Sequence, residues 1–181
     1  MSKFDFTDEF ADAMEACKSF RHAIDAGANV GAWTELLAGK FQWVSAFEPV
    51  EPAFKSLEAR MAPHANVDCY NTALLDSERQ EEFTINHVGF AQRKVGEKRN
   101  VVFNGLPLDR YNLGEVDFIK LDVDGSERDV LTGALKTIEK WKPVVFVEVK
   151  LMSANEASRL RDMIGYRMVK KFRIDELWVP N

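Results

Sequence analysis

Four stretches of the chain carry strong apolar runs: 21–27 (RHAIDAG), 41–49 (FQWVSAFEP), 116–125 (VDFIKLDVDG) and 142–150 (KPVVFVEVK). Short runs of this kind predict strands. Between them the apolar positions follow helical spacing over 32–39, 51–61 and 126–141, the last carrying Val130, Leu131, Leu135 and Ile138 on one side. Strand alternating with helix predicts a parallel sheet joined by right-handed crossovers. Ser126, with Asp129 three residues on, is placed to cap the helix over 126–141. Pro143 follows where it can open a strand without removing an interior ladder bond.

The middle of the chain departs from this alternation. From Asn66 to Tyr111 the pattern reads NVDCYNTAL, the alternating EEFTIN, the polar HVGFAQRKVGEKR and then NVVFNGLPLD. This predicts strands with a mobile connection in place of a helix. The end predicts a helix over 155–164, then an antiparallel hairpin from GYRMVKKFRIDELWVPN on the sheet edge. Residues 1–20 form an N-terminal helical segment and residues 21–181 one domain, without internal repeat, low-complexity tract or linker.

Composition narrows the class. With 181 residues, 46% of them hydrophobic and 29% charged, the chain suffices for one soluble domain with a core. A net charge of −5 leaves no basic excess for a phosphate backbone, which argues against a nucleic-acid partner. No apolar run approaches the ~20 residues of a membrane span. Two cysteines, Cys17 and Cys69, and an N-terminus lacking a basic and then apolar leader place the expected protein in the cytoplasm. A homo-oligomer is compatible with all of this.

The candidate chemistry begins at the end of the first strand. Asp25, Gly27, Asn29 and Gly31, with Ala28 among them, form D-x-G-x-N-x-G where open α/β sheets bind ligands. The glycines let backbone approach a ligand closely, and the next helix offers its N-terminal amides to an anion. A dinucleotide fingerprint would have glycine at position 29, so Asn29 weakens a nicotinamide-dependent oxidoreductase as an alternative. The second strand ends in Phe-Glu-Pro, and Glu48, next to Pro49, is placed to accept both hydroxyls of a ribose. A nucleoside bearing an amino-acid end, S-adenosylmethionine, fits both features. The plain alternative is a tight turn and a solvated glutamate.

The segments IDAGANVGAWTELLA, SAFEPVEPAFKSLEARM, PLDRY, VDFIKLDVDGSERDVLTGALKTIEKWKPVVFVEV and GYRMVKKFRIDELWVPN together resemble the FkbM-like family of S-adenosylmethionine-dependent methyltransferases, across nearly all of 21–181. The resemblance implies an α/β fold, a single-domain Rossmann-like class I methyltransferase sheet. That sheet would be mostly parallel, with a C-terminal antiparallel hairpin and helices on both faces. It implies methylation of a hydroxyl on a sugar, glycan or small metabolite. Asp124 stands where the family more often has glutamate, which keeps the carboxylate and shortens it. A non-catalytic module that retains the cofactor pocket is the second alternative.

Period two places Lys120, Asp122 and Asp124 on one face of the fourth strand, with Glu127 on the following turn and Glu148 on the next strand. Asp122, at the strand's carboxyl end, is the first candidate for orienting the acceptor hydroxyl or taking its proton, with Glu127 and Glu148 in support. Lys120 needs a partner if buried and can pair with Asp122 or Glu148; a register-fixing ion network is the structural alternative. Asp122, Asp124 and Glu127 also resemble hard-metal ligands, but no complete metal motif occurs, so no metal is expected.

Of the histidines, His22 and His64 read as structural or solvated. His87 lies on the expected acceptor side and is a candidate base. Arg93, Lys94, Lys98 and Arg99 form a basic stretch there, suited to an anionic acceptor or simply solvated. At the end of the third strand Asn71, Thr72 and Ala73 are candidates for adenine contacts, with Asp76 as a weaker one. Phe41, Trp43, Phe47, Phe118 and Phe146 read as core, whereas Trp33 directly follows the glycine turn and is placed to cover part of a ligand.

Overall fold

A computed structural model of the chain describes residues 7–85, 91–93 and 100–181. Its frame is a seven-stranded sheet built from β1 (His22–Ala26), β2 (Trp43–Phe47), β3 (Val67–Tyr70), β8 (Val116–Leu121), β9 (Val144–Glu148), β10 (Tyr166–Lys171) and β11 (Asp175–Pro180). The spatial order is β10-β11-β9-β8-β1-β2-β3, so the chain reverses its direction of travel beside β1. Neighbours from β9 to β3 run parallel, and β11 is antiparallel to both β9 and β10. The mostly parallel sheet and its closing hairpin match the sequence expectation. Three of the four apolar runs that announce the sheet, those of β1, β8 and β9, are buried at every strand position.

Strand alternation divides the core. On one face Ala23, Val44, Phe118 and Phe146 pack against α1 (Thr7–Ala16) and α2 (Ala32–Ala38) through Ala13, Trp33 and Leu37. Ala46 on that face meets Leu57 and Met61 of α3 (Glu51–Met61). On the other face Ile24, Ile119, Leu121, Val145 and Val147 pack against α4 (Glu127–Gly133), α5 (Leu135–Trp141) and α6 (Ala154–Ile164). Removing one large aliphatic side chain from such a core costs about 2–5 kcal/mol. Trp43, expected in the core, is 40% exposed at the start of β2, where its indole donates to Asp68 Oδ2 at 2.9 Å.

The helix expected over 126–141 is two helices broken at Ala134. The reason lies outside the segment: Asp109, in the short 3-10 turn Leu108–Tyr111, accepts from the amides of Lys136 and Thr137 at 3.0 and 2.9 Å. A carboxylate on those two amides starts a new helix. Asp129 does not complete a capping box with Ser126. It receives Arg79 Nη2 at 2.9 Å instead.

The irregular middle segment builds a separate four-stranded sheet, in the order β4-β7-β5-β6, from β4 (Ala73–Leu74), β5 (Arg79–Ile85), β6 (Ala91–Arg93) and β7 (Asn100–Leu106). Ala73, Leu75 and Phe83 bury one face of it, and Arg79, bonded to Asp129, fastens it to α4. Among the described residues no helix is long and apolar enough to cross a membrane.

Candidate functional site

The carboxyl ends of β1, β2, β3 and β8 open onto one cavity. Gly27 and Asn29 line it from the first turn, Phe47, Glu48 and Pro49 from the second, and Thr72, Ala73 and Leu74 from the third. Phe83 enters from the smaller sheet, and Asp122, Val123, Asp124 and Ser126 close the far side.

Main-chain hydrogen bonds weld these ends together. The amides of Gly27 and Ala28 both donate to Phe47 O at 3.0 Å, and the Asp122 amide donates to Ala26 O at 3.0 Å. Gly27 has φ +78°, and a Cβ on it would lie 1.9 Å from the Asp122 carbonyl oxygen. Glycine is therefore required twice over, by conformation and by space. Asn29 holds the left-handed conformation at φ +50°, which asparagine tolerates better than most residues. Its amide donates to Glu48 Oε2 at 2.9 Å, while Val50 N donates to Oε1 at 2.8 Å. The amides of Gly27, Ala28 and Asn29 are thus engaged internally. Those of Asn29 and Val50 aim Glu48, whose carboxyl burial pushes above its ordinary value, although the two amides pull against the shift. Each carboxylate oxygen retains acceptor capacity towards a ligand.

Lys120, on β8, is 4% exposed. Its ammonium lies 3.3 Å from Asp122 Oδ2 and 3.5 Å from Asp25 Oδ1. Thr34 Oγ1 in turn donates to Asp25 Oδ2 at 2.7 Å. Burial disfavours the ammonium, but Asp122 and Asp25 outweigh it and hold the pKa at about 12. Lys120 thus stays charged and orients Asp122, whose side chain is 46% exposed. It pairs with Asp25 across the β1–β8 register and not with Glu148.

Several expected positions fall elsewhere. β8 ends at Leu121, so Asp122 and Asp124 lie beyond the strand, and Asp124 (φ +45°) with Gly125 (φ +98°) makes a tight left-handed turn. Glu127 is buried, accepts from the Gly125 amide at 3.0 Å and braces that turn; burial pushes its carboxyl up. Glu148 lies at the end of β9, outside the cavity lining, opposite Asp175 of β11. Burial and the charges of Asp122 and Asp124 push Glu148 up to about 7. Burial, with Glu9 and Asp122 adding, raises Asp175 to about 6.

Trp33 does not cover the cavity. It packs in the core between Phe10 and Phe146, at ring-centroid distances of 5.7 and 4.9 Å. Asp25, Ala28 and Gly31 support the turn from below; Gly31 is crowded by Leu57 and is not in the lining. Asn71 braces from the side, donating to Glu48 O at 2.9 Å. Phe47, expected only in the core, also lines the cavity. Phe83 and Ser126 were not singled out as contacts; the glycine-serine step after the strand is the signal that could have found Ser126. His22 is buried with Nε2 3.0 Å from Ser45 Oγ, consistent with a structural role. His87, Lys94, Lys98 and Arg99 lie outside the described residues, as does the side chain of Arg93. Among the described residues no three His, Cys, Asp or Glu side chains converge as metal ligands.

The residues fit a nucleoside ligand. The cavity combines apolar walls with a restrained carboxylate, an exposed aspartate and the buried, unpartnered Ser126 hydroxyl.

Comparison with known proteins bears on the same region. The family model for the methyltransferase FkbM domain matches residues 25–168. The crystal structure of methyltransferase FkbM from Methylobacillus flagellatus KT has a TM-score of 0.63 and 17% identity, covering 88% of this chain and 43% of that one. This chain therefore spans less than half of that protein. The magnesium protoporphyrin IX methyltransferase of Synechocystis PCC 6803, solved with bound SAM, gives 0.58 at 11% identity over 96% and 77% of the two chains. A Streptococcus mutans protein solved in complex with SAH gives 0.59 at 11% identity over 98% and 97%. At these identities the likeness is one of fold. No curated protein sequence matches the chain.

Proposed function

The chain belongs to the methyltransferase FkbM domain family, and on that premise we propose that it is an S-adenosylmethionine-dependent O-methyltransferase acting on a hydroxyl of a sugar, a glycan or another small metabolite. The observation that carries this reading is the cavity at the ends of β1, β2 and β8, with Glu48 fixed on one side and Asp122 on the other. S-adenosylmethionine supplies an electrophilic methyl group when bound.

Glu48, held by the Asn29 and Val50 amides, accepts from the ribose hydroxyls. Gly27 and Asn29 present backbone to the amino-acid end, and Thr72, Ala73, Leu74 and Phe83 surround the base. Asp122, aimed by Lys120, orients the acceptor hydroxyl and accepts its proton during attack. Most of the rate acceleration in such a displacement comes from positioning, so a rigid floor is chemically useful. Glu127 supports Asp122 by bracing the Asp124–Gly125 turn.

The test combines binding and transfer. S-adenosylhomocysteine should bind the purified protein in calorimetry, and methyl-labelled cofactor incubated with host extract should give a labelled product. Asp122→Ala should retain most of the binding and lose at least about 100-fold in transfer. No binding at millimolar ligand overturns the reading. Binding without transfer to any glycan or metabolite in a broad screen assigns the pocket to a non-catalytic role.

A further inference from the structure

Ser126 occupies the N-cap position of α4 without capping it. Its backbone (φ −108°, ψ 8°) lacks the extended geometry of a side-chain cap, and no cap hydrogen bond forms. Its amide donates to Val123 O at 3.3 Å and its carbonyl accepts from Val130 N at 3.0 Å. The hydroxyl has no partner, in a residue that is 2% exposed and lines the cavity. Buried hydroxyls are almost always paired in folded proteins, so one left unpaired beside a cavity marks where a ligand atom arrives.

The surroundings indicate which ligand atom. Leu74, Phe83 and Val123 give the cavity that Ser126 lines apolar walls, as a flat heteroaromatic ring requires. The two polar side chains in the loop after β3 have their donors committed inside the protein. Thr72 Oγ1 donates to Asn104 O at 3.1 Å, and Asn71 Nδ2 donates to Glu48 O at 2.9 Å and Pro49 O at 3.3 Å. A neutral hydroxyl is also a poor match for a sulfonium or a zwitterionic amino-acid end, and the charged Asp122 already faces the cavity. It matches the edge of adenine, since it can donate to a ring nitrogen or accept from the exocyclic amine.

We propose that Ser126 reads the adenine edge of the nucleoside cofactor, a specificity-determining contact that rests on the cofactor assignment made above. The test is calorimetric binding of two ligands to wild type and Ser126→Ala. S-adenosylhomocysteine carries the whole cofactor frame, and 5′-methylthioadenosine keeps the base and ribose without the amino acid. Ser126→Ala should weaken both by about fivefold to tenfold, the range expected for one neutral hydrogen bond. The ligand-free melting temperature should not fall, because the hydroxyl has no partner to lose. Affinities within about twofold of wild type for both ligands, a loss confined to S-adenosylhomocysteine, or a lowered ligand-free melting temperature would each overturn the role. A wild type that binds neither ligand removes the cofactor assignment itself, a result distinguishable from failure of Ser126 alone.

Discussion

Glu48 is fixed by two backbone amides, so its geometry is set before any ligand arrives. Glu48→Gln keeps the shape but turns one acceptor into a donor facing an N–H. The expected outcome is a loss of about 1–3 kcal/mol in thermal or denaturant unfolding, together with S-adenosylhomocysteine binding weakened by about tenfold or more in calorimetry. The pair Glu148 and Asp175 carries a pH prediction. Both carboxyls are raised in the folded protein, to about 7 and about 6. Between its ordinary and its raised value each group holds more protons folded than unfolded. Their contribution is therefore fully present in acid and lost as pH rises, from about 4.5 to about 7 for Glu148. Melting temperatures measured from pH 4 to 8 should show Glu148→Gln with a shallower decline over that window and a relative gain at its upper end. An unchanged slope would refute the assignment.

At the level of elements, the turn after β1 works as a joint between three strands, and Gly27 is its tightest point. Gly27→Ala must separate β1 from the Asp122 carbonyl or bend the turn, because a Cβ has no room there. It should lower the melting temperature and abolish measurable cofactor binding, which circular dichroism and calorimetry can follow on one sample. Strands β1, β8 and β9 were legible in the sequence because burial on both faces leaves short runs rich in apolar residues, broken only by the few polar groups that find partners inside, such as Asp25, Asp117 and Lys120. The Asp122–Asp124 segment was misread because period two holds only while the strand lasts, and the Asp124–Gly125 pair ends it with a left-handed turn. The break at Ala134 was not legible, since the carboxylate that starts α5 belongs to Asp109, 25 residues before Ala134 and in another element. Trp33 and Phe47 exchanged their expected places: Trp33, on α2, packs into the core between Phe10 and Phe146, whereas Phe47, the last residue of β2, joins the core of the opposite face and lines the cavity.

At the scale of the molecule, the cavity draws its lining from both sheets, so a ligand bound there couples to the stability of both. Saturation with S-adenosylhomocysteine at about 100 times its dissociation constant should add ~2.7 kcal/mol and raise the melting temperature by roughly 5–10 °C. NAD should give no shift; the reverse pattern would favour a nicotinamide ligand. The smaller sheet returns to its starting point, since β4 and β7 pair in parallel through Ala73 with Gly105 and Leu74 with Leu106. The two ends of the segment between them are therefore pinned side by side on the frame. Closing a longer or shorter loop between fixed ends changes the chain entropy only slowly with length. A change of length between them therefore leaves the aligned strand ends at the cavity in place, provided that Leu75, Arg79 and Phe83 keep their contacts with the frame.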